Sequence, residues 1–88
     1  MKLYSLYDQK AEVFLTPVFF RAHGEAMRQV ESESLKGDSM IGMHPEDFVL
    51  YYLGEFSIDT GEFQAESPPI VLTRVSDLLP SDQLGPVQ

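Results

Sequence analysis

Asp59-Thr60-Gly61, inside the stretch FSIDTGEF at residues 56–63, is the tripeptide that carries the catalytic carboxylate of aspartic proteases. That chemistry needs two carboxylates about 3 Å apart sharing one proton, so a chain with a single such motif would have to dimerise at this loop. The residue after the glycine is Glu62. A further ionised carboxylate beside each catalytic Asp adds repulsion to a site that already holds two. The sequence also offers neither a second apolar-apolar-Gly element nor a Gly-rich flap. A turn accounts for the letters better. Ile58, Asp59, Thr60 and Gly61 form a hairpin loop built on a type I turn, with Gly61 taking the positive φ at its last position. Ser57 then pairs with Glu62 and Phe56 with Phe63, an aromatic cross-strand contact that a three-residue loop would lose.

The remaining reactive side chains form no pattern that chemistry requires. His23 and His44 are the only imidazoles, one near a helix start and one before a proline. His44 with Glu46 or Asp47 offers metal ligands, but the spacing matches no ligand motif, and local hydrogen bonding is the expectation for both rings. The acids along residues 31–66 lack the twelve-residue calcium-loop pattern. Ser39, Ser57 and Ser76 sit in no nucleophile elbow, and Gly24 and Gly54 belong to no phosphate-cradling loop. The reading is a non-enzyme with no catalytic residues, metal, cofactor or small-molecule substrate.

The elements that position these residues follow from periodicity. KLYSLYD alternates with both sets partly apolar, which suits a strand covered on both faces, and Asp8-Gln9-Lys10-Ala11 turns into a second strand, EVFLTPVFF. Pro17 cannot donate to a ladder, so this strand lies at an edge or breaks there. From Ala22 the period changes to three and four, predicting one amphipathic helix over 22–35 with Glu25 in its first turn and Gly37 available for a left-handed cap. His44-Pro45-Glu46-Asp47 is a short acidic turn leading into FVLYYLGEF, a strand apolar on both sides, with Val49, Tyr51 and Leu53 facing one way and Leu50, Tyr52 and Phe56 the other. Two-sided apolarity implies a central strand or one face used by a partner. Pro68-Pro69 are expected to block regular structure, and Ile70–Val75 to form one last strand, either completing the sheet or swapping into a neighbour. The whole predicts an α+β fold: a small antiparallel sheet from two hairpins with one amphipathic helix packed on it, a single domain over 1–79, and a flexible tail over 80–88.

The 88 residues allow one modest core, and without cysteine no disulfide or thiolate site supplements it. No apolar run has the length of a signal peptide or a membrane span, so a soluble, cytoplasmic protein without membrane contact is expected. The net charge of −8 repels phosphate backbones and anionic lipid. It is uneven: residues 1–30 hold four basic and three acidic side chains, residues 31–88 two and eleven. An anion-binding surface would therefore use Lys2, Lys10, Arg21 and Arg28, with Tyr4 and Tyr7 as stacking platforms for single-stranded DNA. The candidates for a protein-partner surface are Tyr51, Tyr52, Phe56 and Phe63.

In order and spacing, MKLYSLYDQKAEVFLTPVFF, HGEAMRQV and HPEDFVLYYLGEFSIDTGEF, followed by an acidic, Pro-containing stretch, resemble the small nonstructural protein of gokushovirus-type microviruses, the tiny single-stranded DNA phages of bacteria. The resemblance runs from Met1 to about Pro69. It implies a protein of genome handling, which binds single-stranded DNA or switches replication from duplex copying to single-strand synthesis and packaging. It implies a place in the cytoplasm of the infected host rather than in the mature virion, and it brings no catalytic residues. Two roles follow as expectations. One is a dimeric regulatory protein engaging a phage or host replication or assembly protein; the other is direct single-strand binding. Mimicry of DNA against a host defence has the acidity alone to support it.

Overall fold

The computed structural model describes residues 1–80; the tail expected over 80–88 lies, beyond Pro80, outside the described residues. Five strands and one main helix build an antiparallel sheet with a helical layer on one side, the expected α+β arrangement. The strands are β1 (Lys2–Asp8), β2 (Val13–Phe14), β3 (Val18–Phe20), β4 (Phe48–Phe56) and β5 (Phe63–Arg74); the helices are α1 (His23–Ser34) and the short α2 (Met40–Met43). Single 3-10 turns cover Pro45–Asp47 and Val75–Leu78. The sheet order is β2-β1-β4-β5, with β3 pairing β1 on the same side as β2.

Pro17 has the effect its missing N–H demands. EVFLTPVFF forms an edge of the sheet and splits there into β2 and β3. Tyr7 pairs with Phe14 and Tyr4 with Val18, so the edge spends three residues where β1 spends two. Within the gap Leu15 N still donates to Leu6 O at 2.8 Å, and Ser5 Oγ donates to Leu15 O at 2.6 Å.

The expectation that Pro68-Pro69 end regular structure is wrong. β5 runs through both prolines because it is the opposite edge strand, whose outward positions need no ladder partner. Tyr52 pairs with Ile70 and Gly54 with Ala65, leaving Glu66–Pro69 bulged opposite Leu53 alone. Ile70–Arg74 thus complete the sheet within the same chain, while Val75 opens the following 3-10 turn.

The helix α1 lies within the expected span, and Glu25 Oε1 accepts from Arg21 N at 2.8 Å ahead of the N-terminal turn. Its end differs from expectation: Gly37 does not adopt a positive φ. Hydroxyls satisfy the terminal carbonyls instead, Ser34 Oγ donating to Glu31 O at 2.8 Å and Ser39 Oγ reaching Glu33 O and Lys36 O, both at 2.9 Å. Ser39 also caps α2, accepting from Gly42 N at 2.9 Å, so one side chain joins the two helices.

The core lies between the helical layer and one sheet face. Tyr4, Phe48, Leu50 and Tyr52 come from the strands, Ala26, Val30 and Ile41 from the helices, and Val75 from the final 3-10 turn. The helical segments pack on one another on this one side. The other sheet face has no helix over it among the described residues. No described helix is long and apolar enough to cross a membrane.

Candidate functional site

Strand register decides which side chains share the uncovered face, because directly paired residues point the same way. Tyr7 pairs with Phe14 on one side and Val49 on the other, and Val49 pairs with Arg74. Ser5 pairs with Tyr51 and Tyr51 with Val71. Leu3 pairs with Phe19 and Gly54, and Phe56 with Phe63. The rings gather into two groups. Tyr7, Phe14 and Tyr51 form a triangle with centroid separations of 4.8, 5.2 and 6.2 Å, and Phe19 lies 5.8 Å from Phe56. Phe14, Phe19, Phe63 and Val71 remain 44–55% exposed.

Among the described residues, none that pairing places on this face is acidic, although the chain carries fourteen acids. The strand carboxylates go elsewhere. Asp8 pairs with the buried Phe48, Glu55 pairs with Lys2 on the helical side, and Glu66 sits in the unpaired bulge. Among the described residues Arg74 is the one charged residue that register sets on the face, beside Val49 and one strand further from Tyr7. The sequence reading passed over it; its signal was position, three residues after an exposed valine on an edge strand.

Two aromatic assignments need correction. Tyr4 and Tyr52, expected as a DNA platform and a partner contact, are 1% and 9% exposed and belong to the core under α1. Alternation on a strand apolar on both faces cannot say which set the helix covers. The Tyr4 hydroxyl lies 2.6 Å from His23 Nδ1, and the His23 ring packs against Tyr52 at 4.9 Å, so this imidazole pins the start of α1 to β1 and β4. Burial, with Tyr52, Glu55 and Glu25 nearby, pushes the Tyr4 phenol up to about 12. Tyr51, Phe56 and Phe63 do lie on the open face with Tyr7.

The four expected basic contacts do not converge. Lys2 sits at the start of β1 and pairs with Glu55 at 3.4 Å. Lys10 follows the far end of that strand, roughly 20 Å away at the usual rise per residue. Arg21 precedes α1, and Arg28 is exposed on the helix, in the layer opposite the aromatic face.

Ile58-Asp59-Thr60-Gly61 form the expected four-residue loop. Gly61, at φ 78°, donates to Ser57 O at 2.8 Å, Ser57 N donates to Glu62 O at 2.8 Å, and Phe56 pairs with Phe63. Thr60 N donates to Ser57 Oγ at 3.2 Å and the Thr60 hydroxyl accepts from Glu62 N at 3.3 Å, so the polar groups of the motif hold the turn. The two GEF triplets meet across this hairpin. A Cβ on Gly54 would lie 2.7 Å from Phe63 Cζ and 2.9 Å from Ala65 Cα, so the Phe63 ring covers the glycine of the first triplet.

Residues His44, Glu46 and Asp47 bring their ligand atoms within 4.8 Å of one another on the turn before β4, and all three are at least partly exposed. His23 is not among them.

A family model described as Phage ORF5 protein matches residues 1–78. No curated protein and no solved structure gives a significant match.

Proposed function

The chain belongs to the Phage ORF5 protein family, and on that premise we propose that it is a non-enzymatic accessory protein of a microvirus-type single-stranded DNA phage, acting in genome replication and packaging through protein contacts. It works in the cytoplasm of the infected bacterium as a homodimer closed across the open sheet face, and its acidic remaining surface meets a phage or host replication or assembly protein. The observation that carries this reading is an aromatic sheet face free of acids in a chain of net charge −8. Most pairs of surfaces on two such molecules repel, whereas this face meets its own copy without opposing carboxylates. Four strands at about 4.8 Å spacing and a length of about 30 Å give roughly 600 Å² per copy, so a pair buries roughly 1,200 Å², the lower end of a stable specific interface.

Sedimentation equilibrium tests it. A dimer is expected for the wild type and a monomer for Tyr51→Glu, which puts a carboxylate in the middle of the face. A wild-type monomer at every concentration overturns the reading.

One arrangement favours a second use of the same face. The triangle of Tyr7, Phe14 and Tyr51, with Arg74 on the same face across from Val49, offers stacking for single-stranded bases, each worth about 1–3 kcal/mol. Fluorescence anisotropy with labelled single-stranded and duplex DNA at low and moderate salt separates the two. Salt-sensitive preference for the single strand, lost in Tyr51→Glu, supports direct contact; no binding at low salt leaves protein partners.

A further inference from the structure

A second feature lies in the other layer. Where the edge strand breaks at Pro17, the sheet stops short of the core and leaves an apolar cleft of about 290 Å³ between α1, α2 and the split edge. Leu6 and Leu50 floor it, Val30 and Ile41 wall it from the helices, and Leu15 and Val18 wall it from the edge. The space equals about ten waters at ~30 Å³ each, set against side chains that give water few partners. Tyr4, Val30, Ile41 and Leu50 are themselves core residues, so the cleft is an opening into the core, not a dimple in the surface.

The chemistry around it is one-sided. Among the described residues lining the cleft, Glu33 is the charged one, Gln29, exposed on the same helix, adds an amide, and none is Lys or Arg. Glu33 holds only an exposed pair with Lys36 at 3.3 Å, the sort of contact a better-placed cation displaces at little cost. The cleft is thus apolar inside and anionic at its edge, on a molecule whose overall field draws basic partners.

We infer that this cleft is an anchor site for a protein partner, taking one apolar side chain of Leu size from a segment whose neighbouring Lys or Arg meets Glu33. The inference rests on the protein-partner reading above and deepens it by naming the class of segment recognised. It places that contact on the helical layer, so a dimer closed across the aromatic face leaves it accessible.

The test uses the full chain labelled at its methyl groups and three short peptides, Gly-Lys-Leu-Lys-Gly, Gly-Lys-Ala-Lys-Gly and Gly-Glu-Leu-Glu-Gly, capped at both ends. The Lys-Leu-Lys peptide is expected to shift the methyls of Leu15, Val18, Val30 and Ile41 saturably, with about tenfold weaker binding for each of the other two. Glu33→Gln should erase the preference for lysine over glutamate, and Val18→Trp, at a half-exposed position on the cleft wall, should abolish the shifts while the protein stays folded. Equal binding of the Leu and Ala peptides, equal binding of the Lys and Glu peptides, or no saturable shift from any of them overturns the inference. Sedimentation of the same samples keeps the outcomes apart: a monomer that binds the Lys-Leu-Lys peptide removes the dimer and keeps the cleft, and a dimer that binds none does the reverse.

Discussion

Tyr51 and Tyr52 are neighbours in one strand, and they live in different environments. Tyr52 is 9% exposed, wedged between Tyr4 and His23 under α1; Tyr51 stands on the face that no described helix covers, with Tyr7 and Phe14 around its ring. The same residue type, one position apart, serves the core on one side and a surface on the other. A strand's two faces are separate selective environments, and β4 keeps both apolar. The core therefore lies on the covered face, and the open one is where the proposed association would act.

The largest effects should come from the covered side. Tyr52→Ala empties a site in the core and should cost about 3–5 kcal/mol, a large share of the stability of a domain of this size, as urea denaturation followed by circular dichroism would show. If Tyr51→Ala cost as much, the division between the faces would fall. Gly54→Ala comes next, at about 2–3 kcal/mol in the same assay, because a methyl there meets the Phe63 ring and the β5 backbone and Gly54 holds φ 152°. Gly54→Ala combined with Phe63→Ala should recover part of that loss, since the ring contact is then gone.

Alkaline titration sharpens the comparison. The Tyr4 phenol is raised from 10.0 to about 12 in the folded protein. Its contribution is fully present below pH 10 and is lost as pH rises from 10 towards 12, by about 1.4 kcal/mol per unit. The urea midpoint of the wild type should therefore fall more steeply as pH rises from 10 towards 12 than that of Tyr4→Phe, which begins about 1 kcal/mol lower for want of the bond to His23. The smallest effect on the fold belongs to the open face. Tyr51→Ser should change the stability of the isolated subunit by less than about 1 kcal/mol while shifting the sedimentation equilibrium to monomer.

The sequence made these faces visible and could not rank them. Apolar residues on both sides of FVLYYL revealed a two-sided strand, but which side the helix covers depends on where α1 lands, and Tyr4 and Tyr52 were misassigned for that reason. FSIDTGEF was legible down to its pairing because a four-residue loop and a glycine leave one sensible register. The prolines split: Pro17 broke its strand as expected, while Pro68-Pro69 sat inside one, because a proline's effect depends on which edge its missing N–H faces, a tertiary fact. α2 escaped notice because MIGM is a single turn with a glycine inside it, held by Ser39 rather than by any repeating pattern. The cleft had no local signal at all, being the space between a broken edge and two helices.

Both borders of the sheet carry proline, Pro17 between β2 and β3 and Pro68-Pro69 in the bulge of β5. Neither border offers the unbroken row of donors and acceptors that lets one sheet template the next. Growth strand by strand into a fibril is blocked at both ends, even though β5 runs for twelve largely exposed residues. What is left is contact through the flat of the sheet, and among the described residues one face of it is uncovered. If two copies pair there as proposed, no second open sheet face is left among the described residues for a third, and the assembly would close at a fixed size however much of the protein accumulates.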